Sequence, residues 1–375
     1  MKVLLLHKAL LNGAYQQKAE ALAALPGIEL TVVVPPSWKE ARSGVQPLER
    51  AHTAGYALVV APIWFNGHHH IHCYPTLGAI VRRVRPDIFH VDEEPFNLAT
   101  AEAFWYARRV GARALFVTWA TVYRNYPPPF SLFERYIHRH ASAAIAGNTD
   151  ARDVLRRRGY AGPTTIVPLA IDPDLYSPRE FPPTLERQGP FTIGFLGRLV
   201  REKGAHILLA AAAGLRGNWR VLIVGGGVEE GALRAQAAQL GIAERVEFVP
   251  QVPSSEVPAW LARLDALAVP SLTTPTWKEQ FGRVIIEAMA ARVPVVGSDS
   301  GEIPRVIGEA GLVTPEDDPA ALTVALQDLI DDEHRRQALA TAGRVRALAE
   351  FTWAGVAQQY YDLYEQMLRL SLPSH

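Results

Sequence analysis

The sequence predicts an α/β protein of two doubly wound domains, each a parallel sheet with helices on both faces. Short aliphatic or β-branched runs alternate with amphipathic helical spans through the first half of the chain. Strands of this near-continuous apolar kind are typical of parallel sheets. The same alternation restarts at Phe191. The length of 375 residues also exceeds the usual size of a single hydrophobic core.

The predicted strands are apolar runs, and amphipathic spans such as 16–25 and 99–110 are predicted as helices between them. In the first half the strands lie at residues 2–6, 30–34, 57–63, 87–91, 114–118 and 143–146. In the second half they lie at residues 191–196, 220–224, 246–249, 266–269 and 294–297.

A proline-rich segment separates the two series of strands. The segment from Pro168 to Pro190 contains six prolines, which disfavour helix and fit an extended connection. We therefore predict a first domain at 1–178 and a second at 179–355. A last amphipathic helix is predicted at 353–370, and its apolar side carries Val356, Tyr360, Leu363, Tyr364 and Met367.

Composition excludes several classes of protein. The formal net charge is zero, with 49% hydrophobic and 20% charged residues, which argues against a disordered or nucleic-acid-coating protein. A single cysteine excludes an intrachain disulfide and indicates a reducing compartment. His7 interrupts the N-terminal apolar run too early for a signal peptide, and no 18-residue apolar stretch occurs, so we expect a cytoplasmic protein. Arginines at 82–85 and 156–158 leave weak peripheral membrane contact open, but solvated helix faces explain them more simply.

A glycine turn with two cations follows the first strand of the second domain. The segment GRLVREKG contains Gly197, Arg198 and Lys203, and Lys203-Gly204 opens the next helix. A strand, a glycine turn and a helix N-terminus form an anion site, but lysine before glycine is not a Walker A loop. The arrangement suits a diphosphate. A glycine-capped turn with solvated side chains explains this segment equally well when it is taken alone.

A glycine cluster, Gly225-Gly226-Gly227, follows the next strand. Glycine clusters usually indicate only close packing. This one lies at the carboxyl edge of the strand that comes next in sequence after the Gly197 turn, and ligands of such sheets bind at that edge. We expect the same ligand to extend to it.

The segment KEQFGRVIIEAMA carries two acids, Glu279 and Glu287. If both were helical they would lie about 12 Å apart along the axis, too far for a proton-sharing pair. Glu279 precedes the helix that begins at Gly282, so its carboxylate fits the hydroxyls of a bound polyol while the amides of 280–283 face a phosphate. A buried ion pair explains Glu287 alone more simply. The combined pattern favours contact with another part of the same ligand.

These motifs, followed by Pro294-Val295-Val296 and Ser298-Asp299, resemble the retaining GT-B glycosyltransferases of family 4, also called group 1. The resemblance covers nearly all of residues 190–355. It implies two Rossmann-like domains facing a central cleft, with the second binding a nucleotide sugar. It also implies that a C-terminal helix, 356–375, crosses back to complete the first domain.

The resemblance implies a UDP- or GDP-linked sugar as donor, with no cofactor and no metal. Arg198 and Lys203 would bind the diphosphate, and Glu279 would bind the hydroxyls of the donor sugar. Glu287 would bind the ribose, and Val249 would lie near the base. The other donor-binding candidates are Gly13, Gly197, Gly225, Gly226, Gln280, Phe281, Gly282, Arg283 and Val284.

The sequence departs from the family pattern at several positions. Arg292 stands where family members commonly have glycine, and GEIPR at 301–305 replaces the usual Gly-Gly-Ile-Pro-Glu. In the first domain Gly13 is what remains of a Gly-Gly pair. Trp119 and Ala120 follow Thr118, where the family commonly has a histidine.

Two loops at strand ends of the first domain supply acceptor-side candidates. His68 and His70 lie in NGHHHIH, and Glu93 and Glu94 in DEEP; Trp119 is the fifth candidate. Clustered histidines suit a metal, but without a nearby acidic or cysteine motif a polar or solvated loop is favoured. Among the acids Glu94 is favoured as a ligand contact. The alternative is a loop that satisfies helix N–H groups.

The predicted reaction transfers a hexose-like sugar to the hydroxyl of an unidentified glycan, lipid or small-molecule acceptor, with retention of configuration. No residue securely supplies the nucleophile of a double displacement. The resemblance favours front-face substitution, in which the protein positions the substrates and stabilises the leaving diphosphate. Two alternatives stay open: a nucleotide-sugar epimerase or phosphorylase of the same fold, and a non-catalytic sugar-nucleotide-binding protein. No nucleic acid partner is expected.

Overall fold

A computed structural model describes residues 1–40, 44–176 and 189–369. The chain forms two compact units. Unit 1 comprises residues 1–168 together with the helix Trp353–Arg369, and unit 2 comprises Leu169–Thr352. Pro178, Pro182 and Pro183 of the predicted connection lie outside the described residues, as do residues 370–375 of the predicted last helix.

Unit 1 is built on a parallel sheet with the strand order β5-β2-β1-β6-β7-β8-β9. The strands of the unit are β1 Lys2–Leu6, β2 Glu29–Val34, β3 Ser37–Glu40, β4 Gly44–Pro47, β5 Ala57–Val60, β6 Ile88–Val91, β7 Arg113–Thr118, β8 Ala143–Ala146 and β9 Thr164–Ile166. Its helices are α1 Gln17–Ala23, α2 Leu77–Val84, α3 Leu98–Val110, α4 Phe130–His140, α5 Thr149–Arg157 and α13 Trp353–Arg369.

All six strands predicted for this unit are present, and their apolar side chains form its core. Strand β5 is shorter than predicted because Pro62, which has no N–H group, follows closely after its end. The antiparallel hairpin β3–β4 and the edge strand β9 were missed. Each of them is only three or four residues long, too short for a clear periodic signal.

The last helix, α13, packs against α1 of unit 1. Its buried residues Val356, Ala357, Tyr360, Leu363, Tyr364 and Met367 include every residue predicted for its apolar side. The hydroxyl of the fully buried Tyr364 lies 2.6 Å from Nδ1 of His90 on β6. The Lys18 ammonium on α1 lies 4.7 Å from the Tyr360 ring centroid. The expectation that the terminal helix crosses back to the first domain is confirmed.

Unit 2 has its own parallel sheet with the strand order β12-β11-β10-β13-β14-β15. The strands are β10 Phe191–Leu196, β11 Trp219–Val224, β12 Val246–Val249, β13 Ala266–Val269, β14 Val295–Ser298 and β15 Leu312–Thr314. The helices are α6 Ala205–Ala212, α7 Glu230–Gln239, α8 Val257–Leu261, α9 Arg283–Ala290, α10 Ile303–Ile307, α11 Pro319–Asp331 and α12 Glu333–Glu350. The prediction of two doubly wound α/β domains is confirmed.

Arg292, which stands where glycine is common, follows helix α9 with a φ of +57°. The N–H of Val293 donates to the carbonyl of Ala288, and that of Arg292 to the carbonyl of Met289. This is a Schellman C-cap, whose left-handed position favours glycine. Arginine therefore holds a strained backbone conformation here.

Among the described residues, no helix is both long enough and apolar enough to cross a membrane. Two of the arginines that left membrane contact open make contacts within the unit. Nη2 of Arg158 lies 2.6 Å from a carboxylate oxygen of Glu134, and Nη1 of Arg156 donates to the carbonyls of Tyr160 and Gly162.

Candidate functional site

A cavity of about 250 Å³ lies at the carboxyl edge of the unit 2 sheet. Six of the predicted donor-binding residues line it: Gly197, Arg198, Gly225, Gly226, Val284 and Glu287. They come from the turns after β10 and β11 and from α9. The structure therefore brings three separate sequence motifs to one cavity. Gln251, Val252 and Val257 also line it and were not predicted.

The two glycine turns pack backbone against backbone. A Cβ atom on Gly225, whose φ is +150°, would lie 1.9 Å from the carbonyl oxygen of Gly197. The N–H of Gly197 donates to the carbonyl of Val224 over 3.0 Å, and that of Gly225 to Val249 over 3.0 Å. These amides therefore hold the turns together. Among the described residues no partner is found for the N–H groups of Arg198 and Gly226, which suit a bound anion.

Lys203 and Glu279, which the sequence assigned to different parts of the donor, form an ion pair with 2.5 Å between Nζ and Oε2. The hydroxyl of Ser271 donates to the same oxygen over 3.1 Å. Glu279 is buried, and Lys203 also lies 5.2 Å from the ring centroid of Trp277. This pair was missed because its members are 76 residues apart.

Two glycines with positive φ let the chain approach this pair. Lys203 belongs to a short 3₁₀ turn, and Gly204 rather than the lysine caps α6, with a φ of +75°. A Cβ atom on Gly204 would lie 1.7 Å from the carbonyl oxygen of Pro270. A Cβ atom on Gly301 would lie 2.1 Å from the carbonyl oxygen of Glu279. That carbonyl also accepts a hydrogen bond from the N–H of Glu302, so the GEIPR segment fixes the Glu279 loop.

Glu287 lies in α9 and faces both a cation and a phenol. Its Oε1 is 2.9 Å from Nε of Arg283. Burial raises the pKa of Glu287, and Arg283 and a hydrogen bond from Tyr176 oppose that shift. Tyr176 lies more than a hundred positions earlier, so no local pattern indicated it.

The other donor-side candidates differ in exposure. Gln280 is exposed, whereas the ring of Phe281 is buried against Phe351, with 5.7 Å between ring centroids. Only the backbone of Phe281 is therefore expected to contact a ligand. Gly282 caps α9 with a φ of +76°. Val249 ends β12, and its carbonyl accepts the bond from Gly225.

In unit 1, three consecutive acids follow β6, and two of them are paired with lysines. Asp92 lies 2.5 Å from Lys18, and Glu93 lies 2.6 Å from Lys8. Burial raises the pKa of Glu93, but the charges and hydrogen bonds of Lys8 and His72 together outweigh burial and lower it to about 2. Both acids are therefore anions whose partners belong to the fold.

Glu94, the acid favoured as a ligand contact, has a different environment. Its carboxylate accepts hydrogen bonds from the Thr118 hydroxyl and the Trp119 N–H, each over 2.7 Å. Neither donor is charged, and burial raises the pKa of Glu94 to about 7. Glu94 is therefore the acid of this group that exchanges its proton near neutral pH.

The N–H of Gly13, which the resemblance assigned to a donor phosphate, donates to a carboxylate oxygen of Glu49 over 2.7 Å. Gln16 fixes the Glu49 segment, because its Nε2 donates to the Glu49 carbonyl and its Oε1 accepts from Ala51. The Gly13 amide is thus occupied by an anion of the chain itself. No local pattern indicated Glu49.

The predicted acceptor-side histidines, His68 and His70, are exposed, and they contact different partners. Nδ1 of His70 lies 3.0 Å from the Asn97 side chain, and the ring lies near Phe96, Tyr126 and Phe130. His68 contributes its carbonyl to a contact with His72, which is buried and was not among the candidates. Within the described ranges no group of three His, Cys, Asp or Glu side chains is arranged to hold a metal ion.

Trp119, the fifth acceptor-side candidate, covers a glycine. A Cβ atom on Gly147 would lie 2.2 Å from the Trp119 ring, so the indole occupies the space above that glycine. Its backbone N–H holds Glu94.

Two family models match consecutive parts of the chain. Residues 16–175 match "Glycosyltransferase Family 4" and residues 177–346 match "Glycosyl transferases group 1". A D-inositol 3-phosphate glycosyltransferase of Corynebacterium urealyticum is 36% identical over 187 residues, which are 47% of this chain and 43% of the relative. A GDP-mannose-dependent α-(1-6)-phosphatidylinositol monomannoside mannosyltransferase of Mycolicibacterium smegmatis is 38% identical over 165 residues, or 42% of this chain and 43% of the relative. The chain spans about half the length of the curated relatives it matches.

Solved structures resemble the chain over nearly its whole length. Sucrose-phosphate synthase from Thermosynechococcus elongatus covers 99% of this chain and is itself covered completely (100%), with a TM-score of 0.71 and 20% identity. The structure of Anabaena HepE in complex with UDP matches 98% of this chain and 100% of the HepE chain, with a TM-score of 0.72 and 19% identity. At these identities the structural likeness shows the fold alone.

Proposed function

Because this chain belongs to the group 1 glycosyltransferases of family 4, we propose that it transfers a sugar from a nucleotide diphosphate to an acceptor hydroxyl with retention of configuration. The observation that carries this proposal is the cavity lined by Gly197, Arg198, Gly225 and Glu287. It combines a guanidinium with glycine turns that bring backbone N–H groups close to a ligand. These are the groups that a diphosphate requires.

The donor would lie along this cavity with its diphosphate at Arg198 and the N–H groups of Arg198 and Gly226. Lys203 would reach the phosphate that carries the sugar, while its ion pair with Glu279 fixes the ammonium. Within the described residues, both hydrogen bonds of the Glu279 side chain use Oε2. Its Oε1 would accept a hydroxyl of the donor sugar, and Glu287 would accept the ribose hydroxyls.

The catalytic contribution of these groups would be electrostatic. As the bond between the anomeric carbon and the phosphate oxygen breaks, negative charge grows on the leaving diphosphate. Arg198, Lys203 and the amides would stabilise that charge without reorganising. A leaving phosphate oxygen would take the acceptor proton on the same face of the sugar, so no protein nucleophile is needed.

Relatives suggest the first substrates to test. HepE was solved with UDP, and the M. smegmatis relative is named as GDP-mannose-dependent. The C. urealyticum relative is named for D-inositol 3-phosphate. We propose a UDP- or GDP-sugar donor and a polyol acceptor, with Glu94 accepting a hydrogen bond from the acceptor in unit 1.

The test combines binding with product analysis. A thermal-shift screen of UDP- and GDP-sugars selects the donor, since a ligand of the native state raises its apparent stability. Mass spectrometry then follows that donor with inositol phosphates and with other polyols. A glycosylated acceptor supports the proposal. A sugar changed without any acceptor would indicate an epimerase instead, and tight donor binding with no conversion would indicate a non-catalytic protein.

A further inference from the structure

A second, larger cavity lies at the amino edge of the unit 1 sheet, where its parallel strands begin. It has a volume of about 530 Å³, within the range of small-molecule sites. Its walls are the C-terminal turns of α3 and α4 and the residues that lead into β7 and β8. The acids after β6 and the end of β7 lie at the other, carboxyl edge of the same sheet. The proposed transfer reaction therefore makes no use of this cavity.

The lining of this cavity is strongly basic. Arg108, Arg109 and Arg139 line it together with His140, and no acid is among the lining residues. In the part of the chain that the structure describes, none of the three arginines has a carboxylate within ion-pair distance. Three guanidiniums around one concave surface create a positive potential that an anion would neutralise.

The guanidinium of Arg109 packs on an aromatic ring, and within the described residues none of its N–H groups donates a hydrogen bond. Its guanidinium carbon lies 3.5 Å from the centroid of the Trp105 ring. Trp105 is itself fixed by Tyr106, with 4.8 Å between ring centroids. A guanidinium stacked on a ring keeps its N–H groups in the plane around its edge, where they can make two bonds to one phosphate. The arginine is thus ordered in advance of binding.

Tyr136 adds an unsatisfied polar group beside the cavity. It lines the cavity, and its ring packs against that of His140 with 4.5 Å between centroids. Its hydroxyl is buried and has no hydrogen-bond partner within the described residues. Basic side chains in the last turn of a helix are also explained by the helix dipole. The dipole explains neither a cavity of this size nor the stacking of Arg109 on Trp105.

We infer that this cavity binds a phosphate monoester, with Arg109 and Arg139 on the phosphate oxygens and Trp105 and Tyr136 beside the group that carries the phosphate. The phosphate belongs either to a free small molecule or to a lipid headgroup. The two sources present the same anion, and the experiment distinguishes them.

Calorimetric titration with inorganic phosphate tests the site. Because phosphate would also bind the proposed donor site, the titration is repeated in Arg198→Gln/Lys203→Met, which removes both cations of that site and leaves the second cavity intact. We expect saturable binding in that background and a loss of about tenfold or more in affinity in Arg109→Gln or Arg139→Gln, since each removes a charged hydrogen bond. Arg109→Lys should lose part of the affinity because an ammonium cannot make the paired bonds.

Arg135→Gln is the matched control, since it removes the same charge from an exposed position of α4 outside the cavity lining. We expect it to bind like the parent protein. Equal losses in Arg135→Gln and Arg139→Gln, or no saturable binding in Arg198→Gln/Lys203→Met, would overturn the inference. Circular dichroism confirms that each variant is folded.

Vesicle sedimentation identifies the source of the phosphate. Vesicles of phosphatidic acid in phosphatidylcholine are compared with phosphatidylcholine alone. Sedimentation that depends on phosphatidic acid and on Arg109 assigns the site to a lipid headgroup. Binding of free phosphate without sedimentation assigns it to a soluble phosphate ester. The proposed glycosyl transfer is measured separately and does not depend on either outcome.

Discussion

The ammonium of Lys203 lies 2.5 Å from Oε2 of Glu279, although the two residues are 76 positions apart. The residue proposed to bind the diphosphate and the residue proposed to bind the donor sugar therefore form one ion pair. Each positions the other before any donor binds. Substitution of either residue is therefore expected to alter the binding of both the diphosphate and the sugar.

Replacing Lys203 with methionine removes the ammonium and keeps an apolar side chain of similar length. We expect transfer to fall by about 10²-fold or more, the order seen when a key electrostatic donor is lost. We also expect the free energy of unfolding to fall by about 1–3 kcal/mol, because Glu279 stays buried without its counter-charge while the exposure of Lys203 limits the effect. Donor-saturated kinetics and urea denaturation measure the two effects.

The double variant Lys203→Met/Glu279→Gln is the control. It removes the buried charge, so stability should return toward that of the parent protein while transfer stays low. Near-parent turnover in Lys203→Met would exclude the catalytic role proposed for Lys203.

Glu94→Gln should change how stability depends on pH. The folded-state pKa of Glu94 is raised from 4.5 to about 7 because burial favours the neutral acid. Between these values the folded state binds more protons than the unfolded state, so its free energy of unfolding falls as pH rises from about 4.5 to 7. The glutamine variant should lose this fall. Denaturation curves at several pH values measure the slope.

Glu29→Gln, at an exposed position of β2, serves as the matched control for Glu94→Gln. It should keep the slope of the parent protein. Glu93→Gln should act in the opposite pH window, because the folded pKa of Glu93 is lowered to about 2 and its stabilising charge is lost as pH falls from 4.5. An unchanged slope in Glu94→Gln would show that Glu94 is ionised in the folded protein well below neutral pH.

Arg292→Gly should stabilise the protein. Arginine adopts a φ of +57° at the C-cap of α9, and its buried Nε has no hydrogen-bond partner among the described residues. Glycine adopts this conformation without the Cβ clash, which we expect to add about 0.5–1 kcal/mol after the greater entropy of its unfolded state is counted. Arg292→Ala removes the side chain but keeps the strain, so it should fall short of glycine. If both variants were less stable than the parent, side-chain packing would outweigh the strain.

Gly225→Ala should disrupt the donor cavity. The added Cβ would lie 1.9 Å from the carbonyl oxygen of Gly197, so the two turns must separate. We expect weaker donor binding together with a loss of stability of about 1–3 kcal/mol. Thermal shift with and without the donor measures both.

Gly231→Ala provides the contrast for Gly225→Ala. Gly231 lies in α7, where an added Cβ meets no atom within 4 Å. Alanine should raise stability by about 0.5–1 kcal/mol and leave donor binding unchanged. Similar behaviour of the two alanine variants would contradict the packing role of Gly225.

Hydrophobic periodicity predicted the sheets well because it records which residues must be buried. All eleven predicted strands are present, and the apolar side of α13 was identified residue by residue. The missed strands, including β9 and β15, are three or four residues long and carry too few positions for a pattern.

Side-chain partners were predicted far less well than strands. Glu49 contacts Gly13, and Tyr176 contacts Glu287, only because the tertiary fold brings them together. A local sequence pattern does not show which distant residues will be in contact. Arg292 was recognised as unusual, yet its left-handed conformation followed only from the structure.

The placement of α13 has a consequence for biosynthesis. Tyr360 and Tyr364 cover Lys18 and His90 of unit 1, but the ribosome makes them only after the whole of unit 2. The first unit to emerge is therefore the last to close its core. Until residues 353–369 are synthesised, the apolar surface that α13 covers stays exposed on a unit that is otherwise complete, and such surfaces are prone to aggregation.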